Sequence, residues 1–254
     1  MDQKDLSVAQ FGTHADGYLK SSVHARGADL DRLQTLVDKM RPSRVLDLGC
    51  GAGHASFAMA RGCAGHVTAY DPSAEMLAVV AREALARGHR SLDTQRGSAE
   101  KLPYADGVFE IVATRYSAHH WTNVPRALAE CARVLKPGGR MVVIDVIAPV
   151  EQVLDTSLQV IEFLRDGSHV RNYKLSEWSD MLCAAGFAAP SADCWNLPLE
   201  FASWVARIGT PAARIAALEA VFADLSDEAR RYLQVRADLS FIIEAAWMET
   251  AAST

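Results

Sequence analysis

Long basic runs, paired cysteines and membrane-length apolar segments are all missing from this sequence of 254 residues. Because no run of five Lys or Arg residues occurs and the net charge is −5, we expect no nucleic-acid partner. The absence of a Cys-x-x-Cys pair argues against a zinc knuckle, and an odd number of cysteines argues against a disulfide framework. A reducing, cytoplasmic environment is therefore expected. The cysteines are scattered, at Cys50, Cys63, Cys131, Cys183 and Cys194.

The chain also shows no secretion or membrane signal. Its first five residues, Met1 to Asp5, are polar and acidic, unlike a signal peptide. No apolar stretch approaches the roughly 20 residues that a membrane span requires. Half of the residues are hydrophobic, which is enough for one well-packed domain with helical additions. We therefore predict a single domain over 1–254 and no membrane span.

Strand and helix patterns alternate through the middle of the chain, which predicts an α/β fold with a Rossmann-like, doubly wound and mostly parallel sheet. Five strands are expected there, and two later segments, 192–197 and 239–247, complete a seven-stranded sheet. Helical patterns at 1–40, 151–165 and from Ser176 to Gly186 predict an N-terminal helical lid and helical insertions. We divide the chain into 1–40, a core at 41–148, and 149–254. The five core strands are expected at 44–48, 66–70, 92–96, 109–114 and 140–147.

The first strand runs into a turn with the spacing Gly49-x-Gly51-x-Gly53. A strand, a glycine turn and a helix together favour nucleotide binding, because glycine lets the backbone approach a ligand closely. A dinucleotide fingerprint would need glycine at position 54, which is His54, and a phosphate loop would need Gly-Lys-Ser/Thr. Asp47 lies at the end of the strand, where a carboxylate could meet an ammonium group. The turn thus predicts a nucleoside ligand that carries no phosphate.

Four segments of the chain carry a family resemblance, namely 45–53, Asp71 to Leu77, Gly97 to Tyr104, and Arg133 to Arg140. In this order they resemble the class I S-adenosylmethionine-dependent methyltransferases, and among them the type 11 group that includes the ubiquinone and menaquinone C-methyltransferases. The resemblance covers about residues 10 to 190. It implies S-adenosylmethionine as the cofactor and 41–148 as the part that binds it.

The resemblance assigns residues to each part of the cofactor. Asp71 would accept hydrogen bonds from both ribose hydroxyls, with helix capping as a second, compatible role. Met76 would pack on adenine or fill the core, and Arg115 would contact the methionine portion. Tyr18 belongs to a segment that would close over the methyl site. The full cofactor-binding set is Tyr18, Asp47, Gly49, Gly51, Gly53, Asp71, Pro72, Met76, Ser98, Ala99, Glu100 and Arg115.

Two histidines follow the fourth strand and are the candidate general bases. His119 or His120 could take a proton from the acceptor, since histidine titrates near neutrality. A structural role, with the rings bonded to backbone, is an equal alternative. Adjacent histidines lack the four-residue spacing of a helical metal pair, so no metal is expected. A second candidate wall of the acceptor site, His169, Arg171 and Tyr173, could instead belong to a solvated loop, and Trp204 and Arg207 are further pocket candidates.

These features predict methyl transfer by in-line displacement to a carbon or oxygen atom of a small molecule. No Asn-Pro-Pro-Tyr or Asp-Pro-Pro-Tyr follows the fourth strand, which argues against the amino groups of DNA bases or glutamine. The missing long glycine fingerprint and a missing Tyr-x-x-x-Lys pair argue against nicotinamide-dependent oxidoreduction. A protein that binds S-adenosylmethionine without transferring its methyl group remains the alternative, and a homodimer is left open.

Overall fold

The computed structural model describes residues 2–12 and 27–252, and in this part of the chain seven strands form one sheet. The α/β, Rossmann-like fold is therefore confirmed. Tyr18 lies outside the described residues. The strands are β1 Arg44–Leu48, β2 His66–Asp71, β3 Leu92–Arg96, β4 Phe109–Arg115, β5 Leu135–Val146, β6 Ser191–Leu199 and β7 Phe241–Ala251.

Helices cover both faces of the sheet and add a group near the carboxyl end of the chain. Two helices occupy the described part of the N-terminal region, and three lie between β6 and β7. The helices are α1 Gln3–Gly12, α2 Ala28–Met40, α3 His54–Ala60, α4 Ala74–Ala86, α5 Val124–Val134, α6 Gln152–Arg165, α7 Leu175–Ala184, α8 Phe201–Ala206, α9 Ala212–Asp224 and α10 Asp227–Tyr232.

The strand order is β3-β2-β1-β4-β5-β7-β6, parallel from β3 to β5, with β7 antiparallel to both β5 and β6. β1 pairs with β2 on one side and with β4 on the other. The direction in which successive strands are added therefore reverses between β1 and β4. Such a reversal leaves a crevice beyond the carboxyl ends of the strands, where ligands of open α/β sheets bind.

Boundary differences from the prediction have local causes. β5 begins at Leu135 rather than at Arg140, because Leu135 pairs with Phe109 before an irregularity shifts the register to Arg140 opposite Ile111. Pro137 and the glycines after it fall in this irregularity, where proline cannot donate a ladder hydrogen bond. β7 continues to Ala251 because Arg140 pairs with it.

Three large apolar clusters, besides a small one around Met76, stabilise the described part of the chain. One packs α5 and α7 on the sheet, a second packs α2, α3 and α4 on the other face, and a third joins α6 to α8, α9 and α10. The central strand β5 is buried throughout 141–146, as a strand covered on both faces should be. The third cluster places α6 and α8 beside the carboxyl ends of β4 and β5, and so beside the crevice.

Candidate active site

A cavity of about 530 Å³ lies at the carboxyl ends of β1, β2, β3 and β4. We call it the strand-end crevice. α1 covers part of it through side chains spaced four residues apart, Gln3, Ser7 and Phe11. The sequence-predicted residues that line the crevice are Asp47, Gly49, Gly51, Asp71, Pro72, Met76, Ser98, Ala99, Glu100, Arg115 and His120.

The glycine turn is bonded to the end of β2. The amides of Gly49 and Cys50 donate to the carbonyl of Tyr70, and the Gly51 amide donates to Oδ2 of Asp71 at 2.9 Å. Gly51 has φ +51°, and a Cβ built on it would meet no atom within 4 Å. The backbone at this position therefore faces open space in the crevice, and a ligand can approach it closely.

The other two glycines of the turn have packing roles. A Cβ on Gly49 would overlap the side chain of Ser117. A Cβ on Gly53 would lie 2.9 Å from Val80 and 3.0 Å from Phe57, and Gly53 does not line the crevice. Glycine is needed at position 53 because α3 and α4 approach each other closely, and a contact of Gly53 with the cofactor stays a prediction.

Asp71 is buried at the end of β2, and each of its oxygens accepts one backbone hydrogen bond, from Gly51 and from Ser73. The cap of α4 is Ser73, whose hydroxyl accepts from the amide of Met76 at 3.2 Å. Because a carboxylate offers about four acceptor positions, Asp71 retains capacity for two further donors toward the crevice. The ribose-binding role stays a prediction that this geometry permits.

Asp47 is fully buried, and its Oδ2 accepts a hydrogen bond from the hydroxyl of Ser56. Its Oδ1 has no hydrogen-bond partner among the described residues. An unpaired buried carboxylate oxygen is costly unless a ligand satisfies it. Arg115 lies nearby, and its Nε donates to the buried carboxylate of Asp29 on α2. Asp47, rather than Arg115, is thus the group still in need of a charged partner.

Burial raises the pKa of Asp47 and of Asp71 to about 6. Hydrogen bonds to the two carboxylates lower both pKa values, but burial has the larger effect. A carboxyl whose folded pKa lies above its unfolded value destabilises the fold as pH rises between the two values. We therefore expect the ligand-free protein to lose stability from these groups between about pH 4 and pH 6. Asp47→Asn is expected to raise the free energy of unfolding at pH 7 by about 1–3 kcal/mol.

Denaturant unfolding of the wild type and of Asp47→Asn at pH 5 and pH 7 tests this expectation. The gain should be larger at pH 7, where the wild-type carboxyl is ionised, than at pH 5. An equal gain at both pH values, or a loss at pH 7, would show that the ionised carboxylate is not the destabilising group.

The side of the crevice expected to hold adenine is built by α4 and the loop after β3. Met76 is buried against Ala52, Val79 and Phe11 and also lines the crevice, so it is both a core and a wall residue. The carboxylate of Glu100 accepts from the Ser98 hydroxyl and from the amide and hydroxyl of Thr122. Burial opposes ionisation of Glu100, but these bonds outweigh it and lower its pKa. Glu100 thus ties the loop to the start of α5.

The two histidines occupy a short 3-10 turn, Ala118–His120, and have different surroundings. Nδ1 of His119 lies 2.6 Å from Oδ1 of Asp145, a buried carboxylate that also accepts from the amides of Ala118 and Val146. Nδ1 of His120 donates to the carbonyl of Ser168 at 3.1 Å, and its ring packs edge-on against Phe11.

These surroundings move the two pKa values apart. Burial lowers the pKa of His119, but the charge of Asp145 outweighs burial and the net shift is upward. Burial and the neighbouring His119 lower the pKa of His120 to about 4. His120 therefore stays neutral near pH 7 and is the weaker base, because basicity follows pKa.

The predicted second wall does not reach either cavity. His169 is buried and its Nε2 donates to Gln159, while Arg171 pairs with Asp155 and Glu177. Tyr173 bridges to Ile147 and packs against Trp178. Neither cavity is lined by His169, Arg171 or Tyr173, which attach the segment after α6 to its neighbours, and their role in acceptor binding stays a prediction.

A second, smaller cavity of about 80 Å³ lies beside the histidines. We call it the histidine pocket. Phe11, Tyr116 and His120 line both cavities, so the pocket adjoins the crevice. Trp204 and Arg207 are among the residues that line it, and their part in binding an acceptor stays a prediction. The remaining lining residues are His119, Val146, Glu162, Arg165, Leu197, Leu199 and Ile243.

Sequence reasoning missed Asp145 and Glu162. Asp145 interrupts the apolar run of β5 near its carboxyl end, which is the same signal that identified Asp47 in β1. Glu162 had no signal, because a lone acid on an amphipathic helix is normally a solvated residue. In the structure it is buried, its Oε1 has no partner among the described residues, and burial raises its pKa.

Within residues 2–12 and 27–252, His, Cys, Asp and Glu side chains form no group of three able to hold a metal ion. Within the same residues, no helix combines the length and apolar character needed to cross a bilayer.

Comparisons with known proteins point in one direction. Residues 46–143 match the family described as "Methyltransferase domain". The chain is 48% identical over 172 residues to the uncharacterized protein YafE of Escherichia coli K12, covering 68% of this chain and 83% of YafE. It is 39% identical over 223 residues to the uncharacterized methyltransferase YcgJ of Bacillus subtilis, covering 87% of each chain.

Two further comparisons concern a solved structure and a named enzyme. The crystal structure of YcgJ superposes with a TM-score of 0.82 at 35% identity, covering 88% of this chain and 99% of that chain. The ubiquinone/menaquinone biosynthesis C-methyltransferase UbiE of Rubrivivax gelatinosus is 41% identical over 105 residues, covering 41% of this chain and 40% of UbiE. The similarity to UbiE thus covers less than half of either chain.

Proposed function

This chain belongs to the methyltransferase domain family and is an S-adenosylmethionine-dependent methyltransferase, and on that premise we propose that it methylates a carbon or oxygen atom of a small molecule. The observation that supports the cofactor site most directly is the unpaired Oδ1 of Asp47. Asp47 lines the same crevice as the open face of Gly51 and the carboxylate of Asp71. Together they fit an ammonium group, a closely approaching nucleoside and a ribose.

In this proposal each group has one task. Asp47 pairs with the ammonium of the cofactor's amino-acid portion, and Asp71 accepts from the ribose hydroxyls. Met76, Ser98 and Ala99 border the adenine, with Pro72 beside Asp71. Glu100 acts indirectly, since its carboxylate is already engaged by the loop and α5.

Arg115, the last residue assigned to cofactor binding, contributes to the cofactor site through its position. Because its side chain is bonded to Asp29, it holds α2 against the end of β4 and places positive charge near Asp47. The methionine portion is then bordered by Arg115 and by the backbone of the glycine turn, including Gly49.

The acceptor side favours a small molecule because the histidine pocket is compact and its walls are mostly apolar. When bound, S-adenosylmethionine supplies a methyl group on a positively charged sulfur; an electron pair of the acceptor forms the new bond to carbon, and the sulfur–carbon pair stays on sulfur. The protein contributes orientation, which can lower a barrier between two bound reactants by roughly 7–11 kcal/mol.

Two measurements test the proposal. Calorimetry should show binding of S-adenosylhomocysteine and no binding of NAD. Incubation with S-adenosylmethionine labelled in its methyl group and a panel of small-molecule metabolites should then yield labelled product. Binding without any labelled product across the panel would favour a protein that only binds the cofactor, and labelled protein or nucleic acid would overturn the small-molecule assignment.

A further inference from the structure

The histidine pocket is lined by both apolar and polar side chains. Trp204, Leu199 and Ile243 supply flat or branched apolar surface, whereas His119 and Glu162 supply polar atoms. Because the pocket adjoins the strand-end crevice, a molecule bound in it would lie next to the methyl donor. The lining of the pocket therefore favours a molecule that is mostly apolar and carries a polar group near His119.

The pairing of His119 with Asp145 determines which ring nitrogen is available. A carboxylate only accepts hydrogen bonds, so Nδ1 of His119, 2.6 Å from Asp145, carries the hydrogen. Nε2 makes no hydrogen bond to any residue in 2–12 or 27–252 and retains its lone pair when the ring is neutral. Asp145 is itself held by the amides of Ala118 and Val146, so its position is independent of His119.

Glu162 contributes a second polar atom that has no hydrogen-bond partner among the described residues, its Oε1. Its Oε1 is buried and unbonded among the described residues, and burial favours its protonated form. A protonated carboxyl can donate a hydrogen bond to an acceptor oxygen on which negative charge develops. Arg165 is a cation of the pocket that an anionic ligand could pair with, but its side chain is already engaged. It donates to the carbonyl of Trp204 and lies over the Trp204 ring, so an anionic ligand is not required.

We propose that Asp145 is a positioning residue that presents Nε2 of His119 to the histidine pocket as the general base, and that the pocket binds the methyl acceptor as an uncharged, largely apolar weak acid. This inference rests on the proposed function. It separates the two histidines: His119 acts on the acceptor, and His120, bonded to Ser168, forms the wall between the two cavities.

The proton step balances without another reactant. The acceptor's proton moves to Nε2 of His119, and the electron pair of the broken bond stays on the acceptor. That pair is the one that forms the bond to the methyl carbon. The imidazolium of His119 is stabilised by Asp145 and returns its proton to solvent, so the net release is one proton for each methyl group transferred.

The protonation of His119 depends on charged groups from every element packed against it. His119 must be neutral to accept a proton, so its activity as a base increases as pH rises through its pKa. The titratable and charged neighbours are Asp145 on β5, Glu162 and Arg165 on α6, Asp166 and His169 in the segment after α6, His120 on the same turn, and Arg207 after α8.

Histidine-selective NMR tests the dyad without any acceptor. In the wild type, we expect His119 to titrate above the ordinary histidine value and, when neutral, to carry its hydrogen on Nδ1. Asp145→Asn is expected to lower that pKa by about one unit or more. The matched control is Asp93→Asn, because Asp93 pairs with a surface histidine, His66, at 3.1 Å; this variant should leave the His119 titration unchanged.

Fragment binding tests the acceptor class, with phenol, anisole and benzoate as probes and the protein saturated with S-adenosylhomocysteine. Phenol is a weak acid, anisole lacks its proton, and benzoate is charged. We expect phenol to shift the His119 ring signal and to bind at least about tenfold more tightly than anisole or benzoate, the scale of one hydrogen bond to a basic group. His119→Ala should remove this preference.

Several outcomes would overturn the inference. They are a wild-type His119 with its hydrogen on Nε2, an unchanged pKa in folded Asp145→Asn, and binding of phenol no tighter than that of anisole or benzoate. If Asp145→Asn does not fold, the tautomer of His119 in the wild type and the comparison of phenol with anisole and benzoate still test the inference. Because S-adenosylhomocysteine binding is measured separately, failure of the dyad is distinguishable from failure of the methyltransferase function.

Discussion

Asp71→Asn is expected to weaken the binding of S-adenosylhomocysteine by about 10- to 150-fold, or about 1.5–3 kcal/mol. The carboxylate already accepts one bond from Gly51 and one from Ser73, and its remaining lone pairs would take the ribose hydroxyls. Asparagine keeps the size of the side chain but replaces one acceptor oxygen with a donor. The new amide donor would face another donor, either the backbone amide of Gly51 or Ser73 or a ribose hydroxyl, and the original hydrogen bond could not form there.

Calorimetry with S-adenosylhomocysteine measures this effect, and thermal unfolding of the ligand-free variant shows that it remains folded. Asp93→Asn is a suitable control, since Asp93 lies on the adjacent strand β3 with its side chain 66% exposed. It should bind like the wild type. An Asp71→Asn protein with wild-type affinity would mean that the carboxylate only organises the glycine turn and does not touch the ribose.

Gly51→Val is expected to weaken cofactor binding by more than about 100-fold, or about 3 kcal/mol. Two effects combine at this position. A left-handed φ of +51° disfavours a side chain with a branched Cβ, which costs stability. The valine side chain would also occupy the open space over the turn, where the cofactor must approach the backbone, and this costs binding.

Gly88→Val separates the two effects. Gly88 has φ +74° and open space around a built Cβ, but it follows α4 and does not line the crevice. Both variants should lose comparable stability in denaturant unfolding, on the order of 1–2 kcal/mol, and Gly51→Val alone should lose S-adenosylhomocysteine binding. Equal binding by the two variants would place the cofactor away from the glycine turn.

The fold and much of the strand-end crevice could be predicted because their signals are local. The apolar run of β1, its glycine turn and the acid at the end of β2 each depend on residues close in sequence. In parallel sheets such segments end at the same edge, so Asp47, Gly51 and Asp71 could be expected to meet without knowledge of any long-range contact.

The histidine pocket shows where local signals fail. Glu162 on α6 and Trp204 on α8 meet His119 only because the third apolar cluster packs these helices against the ends of β4 and β5. The polar segment 168–173 shows the same limit. Its density of His, Arg and Tyr resembled a binding loop, but Gln159 and Asp155 of α6 and Trp178 of α7 engage those side chains.

By itself, the sequence determined the type of sheet, the glycine turn and the acids that border it. Strand periodicity, turn residues and strand ends all depend on residues that are neighbours in sequence. Only the tertiary structure decided which side chains pack over Gly53, that Ser73 rather than Asp71 caps α4, and that Asp145 engages His119. These roles depend on which surfaces meet after the chain folds. Burial and packing across the whole domain determine which surfaces meet, so these contacts cannot be predicted from any short segment of the chain.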